Sequence, residues 1–338
     1  MPTSKKWLDY AEYSCSNIHG YNTCVVHYST WLFLQESFPA MAYGYLSTPT
    51  VVGSPLYFFY DCEATGLDVD NDRIIEVAAV LYTKNLPLSW TEVQELTKEG
   101  SGHFSSLCHC TRELHPVAAA MVGVTLADLR YEPPLHTVLD TFFDWIKNRV
   151  NVAEKLCRSQ FTPVLTSHGG LDFPLLLVEL QRINSVLLST KFNALNLRFA
   201  DTHSLCKKLS KLDPTLARME SLGMEAIYKA FFPFESYDKH RALPDAQALC
   251  KIFTDSPLSF RISELRSLIE DKETMLKRLK LMKAGIGGAK AQELLRLGIT
   301  VEHMEREYRR SPSEFRHYLR TLGINKPRPQ LMLYFMTH

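Results

Sequence analysis

Leu56-Tyr-Phe-Phe-Tyr60 runs without a polar break into Asp61-Cys62-Glu63. A short aromatic-rich run, bounded here by Pro55 and Gly66, suits a buried strand. Residues two apart on a strand share a face, so Asp61 and Glu63 project the same way from its end. Two anions held side by side repel unless something positive sits between them. A divalent cation meets that need, and oxygen ligands select Mg²⁺ or Mn²⁺. Taken alone, the pair also suits two surface residues beyond a strand.

The rest of the chain alternates. Residues 74–82 (IIEVAAVLY) read as a second strand. Residues 133–150 place Leu135, Val138, Leu139, Phe142, Phe143 and Ile146 at helical spacing. A strand is expected at 163–167, a helix at 173–183 with Pro174 in its first turn, and a short strand at 198–201. Helices are expected at 222–232 and 242–253. Strands alternating with helices imply an α/β layer fold. Beyond about residue 257 no strand pattern survives: 260–283 reads as one long helical stretch, followed by a GIGG turn and shorter helices. The expected division is an N-terminal extension of unassigned role at 1–54, an α/β domain at 55–256, and an all-α domain at 257–338.

Charge follows that division. The chain is close to neutral, at +1, but residues 256–338 carry 16 Lys/Arg against 9 Asp/Glu, or +7, which leaves −6 for the remainder. A carboxylate-rich body beside a basic tail suits a protein that holds cations and grips a polyanion. Eight cysteines are present, none in a CxxC pair, and Cys108-His109-Cys110 is too tight for a structural zinc site. Free thiols, the lack of a secretory leader and the lack of a long apolar run predict an intracellular protein, nuclear or cytoplasmic, with no membrane association.

Three further residues carry chemistry. Asp172 follows a strand and opens a helix, where it could serve as an N-cap or as a metal ligand. His240 and Asp245 are five residues apart. On one helix they would diverge by about 140°, so His240 is expected on a loop and Asp245 inside the helix near Pro244. A loop histidine there could be a plain surface residue or could overhang a site.

In order and context these pieces resemble the DnaQ-like exonucleases that use four acidic residues and a histidine, the subclass that includes the three-prime repair exonucleases. The resemblance spans about 56–254. It rests on Asp61-Cys-Glu63-Ala-Thr65-Gly66-Leu67 with Ile74-Ile75-Glu76-Val77-Ala78, on Asp172-Phe-Pro-Leu-Leu, on Asp201-Thr202, and on His240-Arg-Ala-Leu-Pro-Asp245-Ala after LGMEAIYKAFF. One departure stands out. The family has Ala-His-Asn before its second motif, with the aspartate five or six residues after the histidine. Here Ser167-His168-Gly169-Gly170 lacks the Asn, and Asp172 is only four residues after His168.

The resemblance implies a ribonuclease H-like fold, a mixed central sheet flanked by helices. It implies metal-dependent 3′→5′ hydrolysis of phosphodiester bonds releasing nucleoside monophosphates, with two Mg²⁺ or Mn²⁺ ions on Asp61, Glu63, Asp172 and Asp245. His240 would be the general base. Thr65, Gly66 and Leu67 would meet the terminal nucleotide, with Leu67 wedged against the last base, and His168 would lie along the nucleic acid.

In the tail, Lys283-Ala-Gly285-Ile-Gly287-Gly288-Ala-Lys290 resembles a helix-hairpin-helix turn, which would bring Gly285, Gly287, Gly288 and Lys290 to a phosphate. A plain helical hairpin would read the same way. The region around 279–308 is similar to the PML-like exonucleases of fish, relatives of the C-terminal region of one isoform of the promyelocytic leukaemia protein. The expected partner is a nucleic acid with a 3′ end, DNA before RNA. An exoribonuclease, or a catalytically weak domain kept for nucleic-acid or protein binding, are the alternatives.

Overall fold

The computed structural model describes residues 53–98, 102–325, 327 and 329–337; the extension expected at 1–54 lies outside them up to residue 52. Five strands form one mixed sheet in the order β3-β2-β1-β4-β5. They are β1 (Ser54–Ala64), β2 (Ile74–Leu81), β3 (His103–Leu107), β4 (Phe161–Ser167) and β5 (Arg198–Asp201). β2 runs antiparallel to both β1 and β3, whereas β4 runs parallel to β1 and β5. A parallel neighbour needs a long crossover, and the Leu135–Cys157 helix supplies part of it. With helices on both faces, this is a mixed central sheet flanked by helices, the α/β arrangement that the resemblance implies.

The pleat of β1 sorts its side chains between two cores. Leu56, Phe58, Tyr60 and Cys62 join the cluster under the Leu135–Cys157 and Asp172–Ile183 helices, with Phe142, Phe143 and Phe173. Tyr57 and Phe59 join the opposite cluster, with Leu249, Ile252 and Phe253 of the Ala242–Asp255 helix. The rings of Tyr60 and Phe173 stack at 6.2 Å on one side, and those of Phe59 and Phe253 at 5.8 Å on the other. Continued past Tyr60, this alternation sends Asp61 and Glu63 toward the Ala242–Asp255 helix and Cys62 toward the Asp172–Ile183 helix.

Several elements depart from the sequence reading, among them helices at Trp90–Leu96, Pro116–Val122, Val186–Ala194 and Thr202–Leu209 that were not expected. β3 was not expected. Its sequence, HFSSL, is half polar because it lies at the sheet edge and pairs only with β2. The stretch 260–283 is not one helix. A 3-10 helix covers Pro257–Leu268, and Glu270 then pairs with Phe199 of β5 through two backbone bonds of 2.8 and 2.9 Å before the Lys272–Lys283 helix begins. Leu258, Ile262, Leu265 and Leu268 belong to the same core as Phe59, and Met275 to that of Phe58. A separate helical core starts at Leu281 and takes in Leu294, Met304, Phe315, Leu319 and Phe335. Among the described residues, no helix is long and apolar enough to cross a membrane.

Candidate active site

Asp61, Glu63 and Asp245 each offer a carboxylate oxygen, and these lie within 4.8 Å of one another. Two come from the open end of β1. The third is in the first turn of the Ala242–Asp255 helix, where its position depends on a buried neighbour, Glu76. Glu76 lies opposite Glu63 in the β1–β2 register. Its oxygens accept from Arg241 Nε at 3.0 Å, Arg241 Nη2 at 3.1 Å and the Ala242 amide at 3.2 Å. One carboxylate thus anchors both the guanidinium before the helix and a free amide at its start, two groups that otherwise lack intrahelical partners. Sequence reasoning quoted Glu76 within a motif and gave it no role; its burial inside a strand of apolar residues was the available signal. Glu76→Ala is expected to cost about 2 kcal/mol of stability in urea unfolding, less than a fully buried pair because the guanidinium is partly exposed. A loss below about 0.5 kcal/mol would remove Glu76 as the anchor.

Asp172 stands apart from this trio. It occupies the first turn of the Asp172–Ile183 helix, on the other face of the sheet, and its Oδ1 lies 3.6 Å from Cys62 Sγ. The N-cap position belongs to Leu171, with no side-chain cap, so Asp172 does not serve as the cap its sequence position allowed. Its charge still reaches the trio. Burial, then the charges of Asp172, Asp245, Glu63 and Glu76, push the Asp61 carboxyl well above the usual carboxylate range. Burial, with Asp245 and Glu76 next, raises Glu63 to about 8. Burial likewise raises Asp172 to about 6, against the Cys62 thiol that favours its ionised form, and Asp245 to about 6. Crowded carboxylates with raised pKa values are what an oxygen-ligand cation site looks like without its ion. The donor set therefore fits a hard divalent cation.

His240 is on the loop before the helix, at φ +65°, in the left-handed region that few non-glycine residues adopt. Its backbone amide donates to Asp245 Oδ2 at 2.8 Å. The strained backbone is held by that bond and by the Arg241–Glu76 clamp next to it, and strain of this kind gathers at functional sites.

Beside the trio opens a cleft of about 1170 Å³, lined by Glu63, Gly66, Leu67, Asp172, Arg112, His115, Val117 and Met121 among others. Its floor is the 65–72 loop. Thr65 Oγ1 donates to Asp72 Oδ1 at 2.8 Å, and the Asp68 amide donates to Asp72 Oδ2 at 2.7 Å. A Cβ on Gly66 would fall 2.5 Å from Asp72 Oδ2, so a side chain there would have to displace the carboxylate that Thr65 and the Asp68 amide hold. Arg182 donates to the carbonyls of Val69, Asp70 and Asp72, and Lys283 pairs with Asp70. Leu67 stands out from the loop, 79% exposed.

His168 is placed differently from the expectation of a nucleic-acid contact. Nε2 donates to the Leu222 carbonyl at 2.8 Å, and Nδ1 lies 2.9 Å from the Thr202 hydroxyl. Both ring nitrogens are engaged within the protein, and burial holds the imidazole below its usual pKa. The ring ties down the loop at Gly169-Gly170. Asp201 adds to this tie, accepting from the Gly169 amide at 3.2 Å while it caps the Thr202–Leu209 helix.

Residues 58–163 match the family model described as Exonuclease. The chain carries an exonuclease domain. No curated protein matches the chain by sequence. Among solved structures, the exonuclease described in "3'-end specific recognition of histone mRNA stem-loop by 3'-exonuclease" is 14% identical, with a TM-score of 0.42 over 63% of this chain and 64% of that one. The nuclease domain of 3'hExo, a DEDDh family member, bound to rAMP, is 15% identical, with a TM-score of 0.44 over 65% of this chain and 98% of that one. The zinc-bound E. coli ExoI–ssDNA complex is 14% identical, with a TM-score of 0.45 over 68% and 45%. The chain thus spans under two thirds of the first of these proteins. Of the trio, Asp61 and Glu63 lie within the matched residues and Asp245 beyond them.

Proposed function

We propose that this exonuclease removes nucleotides from the 3′ end of DNA, using divalent metal bound by Asp61, Glu63 and Asp245, with Asp172 as a fourth ligand from the opposite face of the sheet. The observation that carries the reading is the convergence of three carboxylates from two distant segments, beside an open cleft, two of them in the stretch that matches the exonuclease model. When bound, Mg²⁺ or Mn²⁺, two ions per site, supplies Lewis-acid charge at the scissile phosphate and lowers the pKa of water.

The chain's own groups do the rest. The hydrolysis forms a bond from a water oxygen to phosphorus and breaks the bond from phosphorus to the 3′ oxygen of the preceding nucleotide. His240 accepts the proton of that water as the general base. The left-handed backbone at His240, fixed to Asp245, holds this residue next to the ligand set. Leu67 presents an apolar edge to the terminal base, and the Thr65-Gly66 backbone lines the floor on which that nucleotide lies. The Lys283–Asp70 pair joins this floor to the first helix of the basic tail, so Gly285, Gly287, Gly288 and Lys290 can hold the phosphate backbone a short way from the cleaved end.

The test is a 5′-labelled single-stranded DNA oligonucleotide with Mg²⁺ or Mn²⁺, and with EDTA, beside an RNA oligonucleotide of the same sequence. A ladder shortening from the 3′ end, metal-dependent and faster on DNA, is the expected result. Faster shortening of the RNA would reassign the substrate. No cleavage of either in any metal would leave a binding module.

A further inference from the structure

Asp172 reaches the site from a loop with little stiffness of its own. Gly169 and Gly170 stand side by side just ahead of it, and glycine restrains the backbone least. Gly169 adopts φ +134°, which few side chains tolerate. A Cβ on either glycine would meet nothing within 4 Å, so packing does not fix them. The loop is held from the end of β5 instead. His168 is bonded at Thr202, and Asp201 Oδ1 accepts from the Gly169 amide at 3.2 Å. The place of Asp172 therefore depends on where residues 201–204 sit.

Those residues are held in turn by the tail. The Ser204 hydroxyl donates to Asp201 Oδ2 at 2.7 Å and also lies 3.1 Å from Gln292 Oε1, so two acceptors share its proton. Gln292 belongs to the Gly288–Arg296 helix and is 5% exposed. Its Nε2 donates to Glu270 Oε1 at 2.9 Å, and Glu270 Oε2 lies 3.4 Å from Nη1 of the buried Arg278. Glu270 is also the residue whose backbone pairs with Phe199, two positions before Asp201 on β5. A buried amide bonded at both ends holds its partners firmly, because breaking either bond leaves a polar group away from water. The line runs from Gln292 through Ser204 and Asp201 to Gly169, three residues before Asp172.

We propose that Gln292 is a positioning residue of the exonuclease site, holding Asp172 in place through Ser204, Asp201 and Gly169. The Gly288–Arg296 helix is then a working part of the metal centre, whatever else the tail touches. The proposal rests on the reading of Asp172 as a metal ligand. Both Glu270 and Gln292 lie beyond residue 256, so a chain ending there would keep all four acids and lose the brace on one of them. The expected defect is selective. Asp61, Glu63 and Asp245 are placed by β1 and by the Glu76 clamp, and the 65–72 loop has its own tie to the tail through Lys283 and Asp70. Loss of Gln292 should thus weaken the hold on metal and leave the nucleotide floor as it is. Groups that orient a metal ligand from behind commonly change metal affinity by tenfold or more.

The test uses the full chain. Mn²⁺ affinity is measured by calorimetry without nucleic acid, and amide hydrogen exchange is followed over residues 168–172. Gln292→Ala is expected to weaken Mn²⁺ binding by about tenfold and to speed exchange in that loop. On a DNA oligonucleotide at limiting Mn²⁺ it should lower kcat while KM stays within about twofold. Glu293→Ala, at an exposed position of the same helix, should change none of these. Ser204→Ala cuts the line from the other side and should match Gln292→Ala, with Ser204→Thr, which keeps the hydroxyl, restoring the affinity. In an Asp172→Ala or Ser204→Ala background, Gln292→Ala should weaken Mn²⁺ binding by less than about twofold more. A full further loss in those backgrounds, or wild-type affinity and loop exchange in Gln292→Ala, overturns the role. If wild type binds Mn²⁺ and cleaves nothing, while affinity and exchange still answer to Gln292, the exonuclease reading falls and the positioning role stands. If wild type binds no Mn²⁺, both fall.

Discussion

Asp61→Ala is expected to lower 3′-end cleavage of a DNA oligonucleotide by about a thousandfold or more, because it removes the one carboxylate whose ionisation all the other acids of the site oppose. Asp245→Ala is expected to do the same. Asp172→Ala distinguishes two kinds of fourth ligand. An equal loss makes Asp172 part of the ion-binding set despite its place on the opposite face of β1. A loss of only a few-fold would confine it to positioning β1 through the Cys62 thiol, 3.6 Å away. Single-turnover rates at saturating metal are the measurement. Wild-type rates from Asp61→Ala would end the proposed mechanism.

The second large effect is on stability. Glu63 titrates near 4.5 when unfolded and about 8 in the metal-free fold, while Asp172 and Asp245 move from 3.8 to about 6. A carboxyl whose pKa is raised by folding binds more protons in the folded state. Its stabilising effect is thus complete below the unfolded pKa and lost as pH rises through the folded one. The metal-free protein should lose stability between about pH 4 and pH 8. Mg²⁺ or Mn²⁺ at about a hundred times its dissociation constant should restore about 2.7 kcal/mol, or about 5 °C in Tm, with a larger response at pH 8 than at pH 5. Asp61→Ala should melt higher than wild type in EDTA, since it relieves the repulsion, and should show little response to the ion. Calorimetry in EDTA and in Mn²⁺ at the two pH values checks both signs. An equal melting rise in wild type and variant would place the ion elsewhere.

The parts of this protein that were legible in its sequence are those whose side chains announce their surroundings. β1, β2, β4 and the Leu135–Cys157 helix are apolar at a clear period, because both faces of the sheet are covered. Asp61 and Glu63 drew notice as acids ending an aromatic strand, whereas Asp172, His240 and Asp245 were joined to them through the family resemblance. Three features were not readable. β3 is an edge strand, and its solvated side chains give no period. The break at 269–271 is imposed from outside, by a backbone pairing of Glu270 with β5 that overrides the helical pattern on either side. The split between Asp172 and the trio follows from strand parity, which a one-letter shift in register would invert.

The active-site carboxylates come from β1 and from a helix that begins at Ala242. During synthesis, a ribosome that has released the sheet but not this helix displays Asp61 and Glu63 without their third member. The Glu76 clamp is also without its arginine at that stage. Long-range contacts of this kind form late. A nascent or cut-short chain therefore holds Asp61 and Glu63 without Asp245, and the trio is complete only once both faces of β1 are covered.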